Sequence, residues 1–242
     1  MSYARYLLAF FLLVLPAVLA RADGLLCQLP KDGTWATYDI DVNAKGPGGM
    51  DMSIKGTVYL ASVGQVTEGD QPCRWIEVQF KMTMTMGEHK DEKTETSKLL
   101  IPEKYLAKGE SPLEHVLRAW IRREKGEPQK LDKPNDIDAG PLPLILSAPW
   151  KDVKQLDKAD VECKLGKVAC EGVQGTLELK MRQDKVMKCK LENRLHADSP
   201  FGVATSRWTI QLPEPEQGGT MEWNMKLADF GTDAKSKMPD AK

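Results

Sequence analysis

Between Arg74 and Met86 the chain alternates without a break. Ile76, Val78, Phe80, Met82, Met84 and Met86 fall on one side of a period of two, and Glu77, Gln79, Lys81, Thr83 and Thr85 on the other. Successive side chains of an extended strand point to opposite faces, whereas a helix would scatter these residues round its axis. A strand with one apolar and one polar face belongs in an antiparallel sheet that is buried on one side and wet on the other. The remaining chain must therefore supply strands to flank it.

Similar alternation recurs on both sides. Trp35–Val42 places Ala36, Tyr38, Ile40 and Val42 together, and Met50–Ala61 groups Met50, Met52, Ile54, Val58 and Leu60. Thr94–Ile101 completes an expected four-stranded meander, with the glycine-rich run 45–49 and the charged run 87–92 as turns. Further strands are expected at Asp160–Leu165, Val168–Ala169 leading to Val173–Met181, Val186–Leu195, Val203–Leu212 and Met221–Phe230. Glu127–Pro143 reads as a long polar loop, and Leu142–Trp150 as room for one short helical turn.

Residues 111–123 break the pattern. Ser111-Pro112-Leu113-Glu114 has the form of a capping box with proline at the first helical position. Leu113, Val116, Leu117, Trp120 and Ile121 then follow at helical spacing, with Arg118, Arg122 and Arg123 toward the C-terminal end. The expectation is one helix over 111–123. The fold class that follows is mainly β: a curved antiparallel sheet, or half-barrel, with that helix packed on its concave face.

The ends bear on location. Arg5, the apolar run Tyr6–Ala20 and the sequence Ala20-Arg21-Ala22 together read as a secretory signal over residues 1–22. The run is short for a membrane span. Residues 23–230 then form a single β-rich domain, and the small, charged residues of 231–242 read as a disordered tail. The expected location is exported, periplasmic or extracellular, with no transmembrane segment in the mature chain. With 34 basic and 35 acidic residues, the chain has no basic field to favour nucleic acid.

Export favours disulfides, and the chain has five cysteines. If Gly166-Lys167 makes a two-residue turn, Cys163 faces Cys170 at bridging distance. Cys189 shares an apolar face with Met187, Leu191 and Leu195 and reads as a buried thiol. Cys27 is then left for Cys73. The residues before Cys27, Gly24-Leu25-Leu26, place a bulky leucine where an acylation motif needs a small residue.

Of 11 methionines, Met50, Met52, Met82, Met84, Met86, Met181, Met187, Met221 and Met225 fall on the apolar faces of expected strands. Unbranched, polarizable side chains either fill irregular core gaps or line adaptable apolar surfaces. The candidate cavity lining is Met52, Met82, Met84, Leu117, Trp120 and Met225, between sheet and helix. Trp35 and Trp75 fall on polar strand faces, where an aromatic side chain serves recognition or packs under a loop.

No catalytic constellation emerges. His89, His115 and His196 have no partner at metal-ligand spacing. His196-Ala197-Asp198-Ser199 holds three triad residue types, but neighbours in sequence cannot adopt triad geometry, and no nucleophile elbow is present. No cofactor and no metal are expected.

Residues 197–203 (Ala-Asp-Ser-Pro-Phe-Gly-Val), 227–236, 101–106 and Cys73-Arg-Trp-Ile-Glu77 resemble segments of uncharacterised secreted bacterial proteins. The strand–helix–strand order resembles the lipoprotein-carrier-like half-barrel, a curved sheet closed by helices over an apolar cavity. The resemblance implies an envelope location and an apolar small molecule or lipid as partner. The expected function is therefore an exported, non-catalytic binding protein for a lipid- or acyl-like ligand. The alternative is a structural or protein-interaction module with a filled core.

Overall fold

The computed structural model describes residues 24–45, 51–106, 110–132, 145–146, 150–180, 186–211 and 219–238. The signal segment 1–22, Met50 and Met181 lie outside them. Eleven strands form one curved, open antiparallel sheet. In chain order they are β1 (Trp35–Lys45), β2 (Asp51–Glu68), β3 (Gln71–Met86), β4 (His89–Pro102), β5 (Arg118–Arg123) and β6 (Gln129–Lys130). They continue with β7 (Lys151–Cys163), β8 (Gly166–Lys180), β9 (Val186–Leu195), β10 (Val203–Gln211) and β11 (Thr220–Gly231).

The order across the sheet is β6-β5-β4-β3-β2-β1-β11-β10-β9-β8-β7. Two hairpin-connected meanders thus share a seam at the centre, where β1 pairs with both β2 and β11. The alternation read in Arg74–Met86 is realised in β3. Its even-numbered residues from Ile76 to Met86 join Leu60, Val58 and Ile54 of β2 on the concave face. Tyr38, Ile40 and Val42 continue that face across β1, and Leu227, Met225 and Trp223 across β11.

The sheet curls most strongly in its C-terminal half. Beyond the end of β7, the Lys164 N–H donates to the Leu227 carbonyl of β11 at 2.9 Å, although three strands separate β7 from β11. Lys164 Nζ also pairs with Asp229 at 3.0 Å.

The expected helix over 111–123 does not form. Pro112–His115 makes a single 3₁₀ turn, and Val116 is already extended (φ −67°, ψ 120°). Ser111 makes no capping hydrogen bond. From Arg118 the chain is β5, paired with β4 through Leu99↔Ala119 and Ser97↔Ile121. Helical spacing was ambiguous here because Arg-Ala-Trp-Ile-Arg-Arg also alternates: Ala119 and Ile121 enter the concave core, while Arg118, Trp120 and Arg122 take the convex face.

The chain's own N-terminal segment covers part of the concave face in place of a helix. Leu25, Leu26 and Cys27 are buried there. The Leu25 N–H donates to the Ile145 carbonyl, and the Cys27 N–H to the Phe201 carbonyl, both at 3.0 Å. Ile145 and Leu146, from the connection between the two sheet edges, are buried in the same core. Each fully buried leucine or isoleucine contributes about 2 kcal/mol by removal of apolar surface from water.

Beneath this plug runs a polar chain. Trp208 Nε1 donates to Ser206 Oγ at 2.7 Å, Ser206 Oγ to Asn193 Oδ1 at 2.6 Å, and Asn193 Nδ2 to the Gly24 carbonyl at 2.7 Å. The Tyr38 hydroxyl donates to the Val203 carbonyl at 3.2 Å, and burial drives its pKa far above the usual tyrosine range.

No disulfide joins any two of the five cysteines. The β7–β8 turn is Lys164-Leu165, not Gly166-Lys167, with Gly166 left-handed at φ +85°. That register sets Cys163 opposite Gly166 and Cys170 opposite Ala159, so the two thiols do not face each other. Cys27 and Cys73 belong to different apolar clusters, Cys27 in the main core and Cys73 with Trp75 and Leu100. Cys189 is buried, as its strand pattern predicts.

Residues 231–238 of the tail pack back against the sheet. Trp35 Nε1 donates to Asp233 at 2.8 Å, the Ala234 N–H donates to the Gly33 carbonyl at 2.7 Å, and Met238 is buried. Composition pointed to disorder because the apolar partners of this segment lie far away in sequence.

Candidate ligand-binding site

The methionines concentrate at one end of the concave face. Three rows cross the sheet there, from β11 through β1 and β2 to β3. They are Met221–Ala44–Met52–Met86, Trp223–Val42–Ile54–Met84 and Met225–Ile40–Gly56–Met82. Burial falls off along the rows. Met225 is 2% exposed and Val42 fully buried, Met52, Ile54, Met82 and Met84 are half-buried, and Met86 is 42% exposed. At the other end of the same strands, Leu60, Val78 and Ile76 are fully buried. The apolar face thus passes from a closed core into a partly open shelf.

Gly56 breaks the shelf with a notch. A Cβ there would strike the Lys81 carbonyl, so only glycine allows β2 and β3 to approach so closely. On the β11 side the shelf ends on stacked Trp223 and Trp208, with centroids 5.7 Å apart and planes at 26°. The Trp223 indole N–H points at Met221 Sδ, 2.9 Å away.

The rim is charged. On β4 the residues opposite Met86, Met84 and Met82 are His89, Asp91 and Lys93. Lys93 pairs with Asp91 at 3.2 Å, and Arg123 with Glu95 at 3.2 Å. An open depression of about 640 Å³ lies where shelf and rim meet, lined by Met84, Met86, Gly87 and residues 88–91. A greasy floor beside an ionic edge is chemically suited to an amphiphile, whose chain is removed from water while its polar end stays wet.

Of the residues expected to line a cavity, Met52, Met82, Met84 and Met225 come together on this face. Leu117 and Trp120 do not, because the helix that would have carried them is absent. Leu117 is 41% exposed beside β4, its N–H donating to the Leu100 carbonyl at 2.9 Å. Trp120 lies on the convex face, edge-on to Trp75 with centroids 5.5 Å apart. Trp35 stacks on Tyr59 at 5.9 Å, so neither polar-face tryptophan stands alone on the surface.

Trp223 and Met221 also lie on this shelf, though neither was among the residues expected to line a cavity. Their signal was available in the alternation of β11, but the seam with β1 is not visible locally. The N-terminal plug gave no periodic signal at all, being only a few residues long.

The residues of 196–199 serve a turn. His196 Nδ1 accepts from the Asp198 N–H at 3.2 Å, and the Ser199 hydroxyl donates to the Val203 carbonyl at 2.5 Å. Ser199 is buried and its hydroxyl is committed, so it has no nucleophile geometry. Among the described residues no cluster of three or more His, Cys, Asp or Glu side chains could hold a metal ion. No described helix is long and apolar enough to cross a membrane.

No protein-family model and no curated protein sequence matches this chain. Among solved structures, the crystal structure of a DUF1329 family protein from Desulfovibrio piger is similar over 84% of this chain and 87% of that one, at 9% identity and a TM-score of 0.27. So low a score carries no argument about shape or activity.

Proposed function

We propose that this protein is an exported, non-catalytic binding protein that holds a lipid- or acyl-like ligand on the methionine shelf of its concave face. The observation that supports this reading is the fall in burial along β2 and β3, from closed core at Leu60 and Val78 to half-buried Met52, Ile54, Met82 and Met84. Adaptable thioether side chains suit a flexible chain of variable shape. The polar rim at His89, Asp91 and Lys93 suits its polar end.

The N-terminal plug restricts where such a ligand fits. Leu25, Leu26, Ile145 and Leu146 already occupy the space over β9 and β10, which leaves the methionine end of β2 and β3. That filled half also favours the second reading, a scaffold without ligand. One experiment separates them. The purified protein is extracted with organic solvent for mass spectrometry, and separately titrated with a fluorescent fatty acid. Binding with one-to-one stoichiometry, lost in Met84→Lys at unchanged circular dichroism, supports the carrier reading. No co-purifying lipid and no titratable probe leaves the scaffold.

A further inference from the structure

The convex face has a feature that apolar binding does not use. Tyr59, Gln79, Thr96 and Arg122 lie side by side there, across β2, β3, β4 and β5. The buried Gln79 amide donates to the Thr96 hydroxyl at 2.9 Å. The tail delivers Lys237 onto this row: its Nζ donates to Gln79 Oε1 at 3.1 Å and stands 3.5 Å from the centre of the Tyr59 ring. Lys81 follows Gln79 on the same face of β3.

Lys81, Arg122 and Lys237 thus share one patch of the convex face. Burial holds the Lys237 ammonium below the usual lysine range, and the charges of Lys81 and Arg122 push the same way, against Glu77. Among the described residues no carboxylate forms an ion pair with Lys81, Arg122 or Lys237. Both oxygens of Glu77 are engaged by the Lys237 N–H, and one also by the Ser236 hydroxyl. The Thr96 hydroxyl accepts from Gln79 and so keeps its own proton for another acceptor. Glu77 offsets only part of this positive charge, so the remaining cations repel one another, and an oxyanion among them removes that cost.

We propose that Lys81, Arg122 and Lys237, with the Thr96 hydroxyl, form a binding site for a phosphate group on the convex face, assembled only when the C-terminal segment lies across β3. Arg122 supplies a planar fork for two oxygens, and the lysines supply point charges. The shared chemistry is a phosphate or phosphomonoester, from free solution or from a lipid headgroup. Because the site includes the tail, phosphate binding and tail docking strengthen each other by the same factor.

Inorganic phosphate is titrated into the purified protein and followed by ³¹P line width. In parallel the protein is co-sedimented with vesicles of phosphatidylcholine, with and without phosphatidic acid. We expect saturable binding that Lys81→Met, Arg122→Met and Lys237→Met each weaken about tenfold. Lys55→Met, at a position paired with Asp41 on the same face, leaves binding unchanged. Binding of inorganic phosphate assigns a soluble source. Sedimentation with phosphatidic acid alone, with the same variant pattern, assigns a headgroup. Absence of binding to either probe, or equal weakening by Lys55→Met, overturns the proposal. If Lys237→Met does not fold, Lys81→Met and Arg122→Met carry the test.

Discussion

The backbone N–H of Lys237 donates to both carboxylate oxygens of Glu77, at 3.0 and 3.1 Å, across 160 residues of sequence. The Ser236 hydroxyl adds a bond of 2.7 Å to the same carboxylate. Glu77 is fully buried in the middle of β3, so these donors replace water that it cannot reach. Deleting residues 236–242 therefore destabilises the protein by about 3 kcal/mol in urea unfolding, through a buried charge stripped of hydrogen bonds. Adding Glu77→Gln to the deletion recovers part of that loss. An additive loss would mean the carboxylate does not depend on the tail.

Ser206 sits in the middle of the chain that runs from Trp208 to Asn193 and on to Gly24. Ser206→Ala leaves the buried Trp208 N–H and the Asn193 Oδ1 without partners. The expected cost is about 2–3 kcal/mol in chemical denaturation. Native-state hydrogen exchange at Leu25 and Cys27 should rise in the same variant, because Asn193 is one of the groups that hold the N-terminal plug. Unchanged exchange there would show that the plug is held by its apolar contacts alone.

The two ends of the methionine rows differ in what they contribute. Met225 is 2% exposed, and Met225→Ala costs about 2–5 kcal/mol by cavity formation. Met84 is half-buried, and Met84→Lys costs less than about 1 kcal/mol, because the lysine stem lies along the shelf with its ammonium in water. Thermal unfolding of the pair checks the contrast. Equal losses would mean that the shelf is closed core.

The thiols set an alkaline limit. Burial pushes Cys189 up to about 11 and raises Cys170 and Cys73 as well. In the unfolded chain a thiol titrates at about 8.5. The folded state thus holds its protons to higher pH, so this contribution is whole below about pH 8.5 and is lost as pH rises toward about 11. Urea midpoints measured across that range should fall, and less steeply in Cys189→Ala. Alkylation of the unfolded, unreduced protein should add five adducts by intact mass, one for each cysteine. Fewer adducts would reveal a bridge.

The sheet was legible because its strands are long and wet on one side. β3 could be read almost residue by residue, and the apolar set on β1, β2 and β11 followed the same rule. The single expected helix failed where two periods coincide. Trp120 and Ile121 are adjacent apolar residues, which a one-sided strand does not allow, yet the convex side of β5 has its own small cluster with Trp75 and Leu100. The bridge between Cys163 and Cys170 failed on a turn displaced by two residues. Of the site, the methionines on β2, β3 and β11 were visible, but the pairing of β1 with β11 that gathers them is a contact between the two ends of the domain. The plug at Leu25 and Leu26 was hidden beside the presumed cleavage point.

That seam governs how the chain reaches its native state. During synthesis β1 emerges early and finds β2 within a few residues, but its other edge stays bare until Thr220–Gly231 has left the ribosome. For most of translation an apolar, hydrogen-bond-hungry border is exposed to whatever strand comes near. Domain closure is in effect the last act of the polypeptide. A circular permutant that begins at β7 and joins the old ends through a flexible linker, long enough to pass from the convex tail to the concave plug, would place β11 directly before β1 in the chain and should refold faster than the natural order.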